Sequence, residues 1–179
     1  MSTSQLPGRV EPYKLAARHE KLAGLVPLGN LKRLAEEIGA QTGDCRVTLD
    51  FGIDAQGRRE IRGSLEATLM IGCRRCLEPI ECPVASEFLL GMVADESLAG
   101  ELPASHEPVL VEDEQLDLLT VVEDELILSL PQVVYHDEAD CLVPAEQLVS
   151  EADESEQATA PEDNPFAVLG ALKGNLKDK

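Results

Sequence analysis

The chain contains no tryptophan and only 3% aromatic residues. A core must therefore come from Leu, Val, Ile and Ala, and the stacking platforms that hold single-stranded nucleic acid are scarce. No apolar run approaches the ~18 residues that a membrane span needs. Met1–Val10 lacks a hydrophobic segment behind a basic start, so no secretory signal is expected. Five cysteines, an odd number, argue against a disulfide framework, and a cytoplasmic location is the expectation. Also missing is any Lys or Arg between Leu77 and Leu172, in a chain with 34 Asp+Glu and a formal charge of −19. Such a half repels a phosphate backbone, although it suits a basic protein. The bland alternative is a solvated acidic surface that aids solubility. There is no Gly-rich phosphate loop and no serine in a recognisable nucleophile setting. The three histidines are not paired. The expectation is a protein that is not an enzyme.

What is present is 44% hydrophobic residues, enough for one domain with tails. Residues 1–40 are expected to form a helical segment, with one helix over Tyr13–Ala23 and a second over Leu28–Ile38, where Leu31, Leu34, Ala35 and Ile38 share a face. Residues 41–136 are expected to form an α+β core. Cys45, Val47, Leu49, Phe51 and Ile53 alternate with polar residues, Asp54-Ala55-Gln56-Gly57 makes a turn, and Leu65, Ala67, Leu69 and Ile71 line the return strand. After a reversal at Cys73–Cys76, a third strand alternates Ile80, Cys82, Val84, Phe88, Leu90 and Met92. Three such strands make a small antiparallel β-meander or partly open barrel that needs helices as cover. A short strand is expected over Pro108–Val111. Asp117 then reads as the N-cap of a helix over Leu118–Leu130 that Pro131 stops. Residues 137–163 are acidic and turn-rich and are expected to be a disordered linker. Residues 164–179 read as a short amphipathic helix opened by Asn164-Pro165, with Phe166, Leu169 and Leu172 on one face. That helix can dock on a partner or fold back on its own domain.

Strand phase sorts the cysteines. Cys45 and Cys82 are in register with core residues, where a free thiol is a small hydrophobe. Cys73 and Cys76 form Cys-Arg-Arg-Cys at a strand reversal, where two thiolates can converge on one tetrahedral ion. His136 and Cys141 can supply the other two ligands of a zinc site that holds the later loop against the knuckle. Reduced structural thiols and a redox pair are the other readings; two arginines would lower a thiol pKa, but the redox motif belongs beside a βαβ unit and this pair lies between antiparallel strands.

Within Glu123-Asp124-Glu125, a 100° helical step puts Glu123 and Asp124 on the polar side, available to a partner. Glu125 falls among Leu118, Val121, Val122 and Leu128. A buried carboxylate needs a cation or several donors. The expected partner is Arg74 or Arg75, in which case Glu125→Gln should lower thermal stability.

Cys73-Arg74-Arg75-Cys76-Leu77, Asp117-Leu118-Leu119 leading to Glu123–Pro131, His136-Asp137 through Cys141, and Asn164–Leu169 followed by Leu172-Lys173 together resemble the YceD family of bacterial and plastid proteins. The resemblance implies a non-catalytic factor needed for normal levels of 23S rRNA during large-subunit assembly, with metal binding and nucleic-acid binding both associated with the family. Two modes of action follow. In the first, the acidic half attracts a basic ribosomal or assembly protein. In the second, Arg58, Arg59, Arg62, Arg74 and Arg75 form one basic edge that binds RNA directly.

Overall fold

A computed structural model describes residues 5–143. The tail positions named above, Phe166, Leu169 and Leu172, the terminal helix, and the linker beyond 143 lie outside the described residues. The first compact unit closes at Leu142.

Elements follow in the order β1 (Arg9–Val10), α1 (Pro12–Arg18), β2 (Lys21–Pro27), a 3-10 turn (Leu28–Asn30), α2 (Lys32–Ile38), β3 (Asp44–Ile53), β4 (Arg59–Gly72), β5 (Pro79–Val93), a second 3-10 segment (Glu96–Glu101), β6 (Glu107–Leu110), β7 (Leu116–Asp117) and α3 (Leu118–Leu128). The architecture is α+β. An open five-stranded sheet has the order β2-β3-β4-β5-β6, and β1 pairs with β7 beside it. The expected β3-β4-β5 meander forms its centre.

Two corrections concern the first forty residues. The helix expected over Tyr13–Ala23 ends at Arg18, because His19 takes a left-handed backbone at φ 51° and turns the chain. Lys21–Pro27 then runs as an edge strand antiparallel to β3, with Leu22 opposite Leu49 and Val26 opposite Cys45. Leu22, Gly24 and Val26 alternate, and pairing with β3 outweighs the helical spacing of Leu15 and Leu22. The second helix is shorter than expected: Leu28–Asn30 forms a 3-10 turn and α2 starts at Lys32. At the other edge β6 pairs with β5 in parallel, Val93 opposite Leu110.

One face of the sheet carries the core. Cys45, Val47, Leu49 and Phe51 of β3 are fully buried against Ile61, Leu65 and Leu69 of β4 and against Val84, Phe88 and Leu90 of β5. Leu34 of α2 and Leu118, Val122 and Leu126 of α3 cover them. Gly63 has a packing reason to be glycine. It sits opposite Phe88 on β5, and a Cβ there would lie 2.0 Å from the Phe88 ring. The ring occupies the notch that the missing side chain leaves.

Asp117 caps α3 as expected, its carboxylate accepting from the N–H groups of Leu119 and Thr120. No described helix is long and apolar enough to cross a membrane.

Candidate functional site

The reversal between β4 and β5 is a tight loop. Cys73 N–H donates to Glu78 O and Leu77 N–H donates to Cys73 O, both at 2.9 Å. Leu77 adopts φ 64° and is 79% exposed, so an exposed apolar residue tolerates a backbone conformation that favours glycine. The chain returns to this loop after α3. Arg74 N–H donates to Val134 O at 2.9 Å. The Arg75 guanidinium donates to His136 O at 3.0 Å and stands 5.3 Å from the centre of the Tyr135 ring. Cys141 N–H donates to Asp137 O at 3.1 Å, turning the chain so that Cys141 joins the group. The two arginines between the cysteines thus position the returning segment.

These contacts bring together one ligand atom each from Cys73, Cys76, His136 and Cys141, all within 4.8 Å of one another. Cys73 is buried and the other three are half-buried. A tetrahedral zinc ion with bonds of about 2.0–2.3 Å places its ligand atoms about 3.5 Å apart. Cys76 Sγ and His136 Nδ1 already stand 3.4 Å apart. The donor set, three sulfurs and one imidazole nitrogen, fits zinc in type, number and spacing.

Burial is the largest influence on the Cys73 thiol and opposes its ionisation. Backbone N–H groups of Cys76, His136 and Arg75, with the His136 side chain, outweigh it together and bring the thiol down to about 5. His136 is raised above its ordinary value, first by its hydrogen bond with Cys73 and against the effect of burial. The pocket therefore stabilises a thiolate, the form that binds metal. Cys45 is the opposite case, since burial outweighs a backbone hydrogen bond from Glu66 and pushes its thiol up to about 11, where it stays protonated. Cys82 is half-buried against the core, as its phase indicated.

The arginines do not form one basic edge. Arg58 and Arg59 lie at the β3–β4 hairpin, whereas Arg74 and Arg75 lie beyond the far end of β4, a strand from Arg59 to Gly72 that spans roughly 40 Å. Arg58 Nε donates to Asp54 at 2.7 Å, Arg62 Nε donates to Glu60 at 3.0 Å, and Arg59 stacks over Tyr13 at 4.9 Å. Each is already engaged within its own fold.

The acidic triplet also differs from expectation. Glu123 is buried, at 9% exposure, because its carboxylate accepts from the N–H groups of Arg33 at 2.7 Å and Leu34 at 3.1 Å. It caps the first turn of α2, which has no cap from its own flanking residues. Asp124 is half-exposed and paired with Arg33. Glu125 is buried, at 6% exposure, as its phase required. Its expected arginine is not there: the Arg75 guanidinium is committed to His136 O, and no described cation pairs with Glu125. Burial, followed by the nearby charges of Glu107 and Asp124, pushes its carboxyl up to about 7.

Three further polar arrangements escaped the sequence reading. Gln41 uses its side-chain amide as a strand neighbour, donating to Met70 O at 3.0 Å and accepting from Met70 N–H at 2.8 Å. His106 Nε2 meets Glu60 at 3.2 Å, both side chains 7% exposed, and pins the segment before β6 over the outer face. Asp54 joins these two in a second group with metal-ligand spacing. Its carboxylates are taken by Arg58, Gln56 and Arg62, which makes it an ion-pair network. Arg58, Glu60 and Arg62 are close in the sequence, but nothing in it pointed to His106 as their neighbour.

Residues 61–173, from the start of β4 through the cysteine group and beyond, match the model of the family described as "Large ribosomal RNA subunit accumulation protein YceD". A protein of that name from Haemophilus influenzae is 37% identical over 174 residues, covering 97% of this chain and 99% of the relative. No solved structure matches the chain. With a family model matching more than half of it and a relative aligned along nearly its whole length, the chain belongs to the YceD family.

Proposed function

We propose that this protein is a cytoplasmic, non-catalytic factor that supports accumulation of 23S rRNA during large-subunit assembly. It acts mainly by contact with a basic ribosomal or assembly protein. The observation that carries this reading is the joining of family membership to a second half without Lys or Arg from Leu77 to Leu172. Long-range attraction of opposite charge raises the encounter rate, keeps a basic partner soluble, and weakens with salt. Direct RNA binding is less well supported, because the N-terminal arginines are paired and the knuckle arginines lie at the other end of β4.

Zinc belongs to this reading as a structural ion. Cys73, Cys76, His136 and Cys141 would hold it, and its contribution would be a cross-link between the β4–β5 loop and the segment after α3. The cross-link would secure the two backbone contacts that Arg74 and Arg75 make with that segment.

The test is affinity purification of the full chain from lysate at low salt, with and without RNase. Basic ribosomal or assembly proteins that survive RNase and are lost at high salt support the reading. Recovery only of large-subunit rRNA that vanishes with RNase refutes it in favour of direct RNA binding. Enrichment no greater than that of a charge-matched control removes its physical basis.

A further inference from the structure

A groove of about 280 Å³ runs between β6 and α3, and none of the four cysteine-group residues lines it. Val109 of β6 and Val121, Ile127 and Leu128 of α3 form its apolar walls, and Leu128 is 71% exposed at the mouth. Glu107, Asp124 and Glu125 bring three carboxylates to the same space. Arg33 is the one cation there, and it is paired with Asp124. Glu125 is 6% exposed, lines the groove, and has no ion pair or hydrogen bond to its side chain among the described residues.

The Glu125 oxygens open only onto the groove, since no fully sealed side-chain oxygen among the described residues lacks a partner, and a carboxylate this buried is still costly without a counter-ion. Leu fits the helical phase at this position and would bury without cost. We infer that the groove is a receptor for one lysine or arginine side chain of a protein partner, with Glu125 as the counter-ion for its charged head. The walls suit the methylene stem, and the volume lies below the roughly 300 Å³ at which small-molecule pockets begin. A divalent metal ion fits less well, because it needs several free oxygen ligands and Asp124 is already engaged by Arg33. The repulsive pair Glu107 and Glu125 also rejects an anionic ligand such as RNA. The inference rests on the proposed function only for the positive charge of the partner, and it names the contact.

Binding of a cation draws Glu125 into its charged form, so affinity rises with pH while Glu125 ionises. The charged groups facing it are Glu107 from β6, Asp124 from its own helix, and Arg33 from α2.

The probes are n-pentylammonium and n-butylguanidinium, the side chains of lysine and arginine with the Cα carbon added, with n-pentanol as the neutral control. Each is titrated into the full-length protein at low salt, observing the Glu125 carboxyl carbon and the Val109, Val121 and Ile127 methyl groups by NMR. The expected result is shifts confined to these groups, with apparent affinity rising about tenfold between pH 5.5 and 7.5. In Glu125→Gln the carboxyl signal is absent, and binding falls by at least about tenfold, as expected for loss of a desolvated ionic contact. Equal binding of pentanol, undiminished binding to Glu125→Gln, shifts spread over the acidic surface, or no response would each overturn the inference. None of these outcomes depends on the natural partner or on rRNA, so the groove and the assembly role fail separately.

Discussion

Replacing Glu125 with Gln is expected to stabilise the protein at pH 8, the opposite of what helix phase alone indicated. In the folded state the carboxyl is pushed up to about 7 from an ordinary 4.5, first by burial and then by Glu107 and Asp124. Between those values the folded chain keeps a proton that the unfolded chain has released. Stability therefore falls as pH rises from 4.5 through about 7, and the full penalty stands above that. The shift corresponds to an upper bound of about 3 kcal/mol. A buried amide without partners returns about 1 kcal/mol of that as its own desolvation cost. The net gain is on the order of 1–2 kcal/mol at pH 8, a rise of roughly 3–6 °C in Tm. It should shrink as pH falls towards 4.5 and vanish below that, where the carboxyl becomes neutral in the unfolded state as well. Thermal unfolding of parent and variant, compared at each pH from 4.5 to 8, measures it. A variant less stable than the parent at pH 8 would refute the reasoning, because it would mean that Glu125 is ionised and paired.

Glu123→Ala removes the acceptor for two buried N–H groups at the start of α2 and should cost about 2 kcal/mol by chemical denaturation, with Glu123→Gln recovering part of the loss. Gly63→Ala drives a methyl group into the Phe88 ring and should cost about 1–3 kcal/mol. Adding Phe88→Leu to it should recover part of that loss if the clash is the cause, which a double-mutant cycle measures. Chelation with EDTA should lower Tm in the parent and leave a Cys73→Ser, Cys141→Ser double variant unchanged, while metal analysis of the purified parent should return about one zinc per chain. An equal response of parent and double variant to chelator would remove the zinc site.

Much of the sheet was legible because only one of its faces is buried. A period of two over Cys45–Ile53 leaves a single register for β3, and the same rule placed Val84, Phe88 and Leu90. β2 was not legible, since Leu15 and Leu22 satisfy a helical period as well as Leu22 and Val26 satisfy a strand, and only the partner strand decides. The cysteine group was legible across a separation of 60 residues because few residue types ligate zinc, so Cys73, Cys76, His136 and Cys141 stood out from their surroundings. Polar residues with long-range roles were hidden for the opposite reason. Glu123 caps a helix 90 residues away, and Glu60 meets a histidine 46 residues away. Acids are so common in this chain that neither stands out. Phase assigned Glu125 to the core, but the arginine expected to meet it there is absent.

The central claim is that the chain supports accumulation of large-subunit rRNA through protein contact. The most direct measurement is the ratio of 23S to 16S rRNA in cells that lack the protein, complemented either with the parent or with a variant in which the exposed acids of residues 77–143 are changed to their amides. The account predicts a lowered ratio without the protein, restored by the parent and not by the folded, charge-depleted variant. Full restoration by that variant would contradict it.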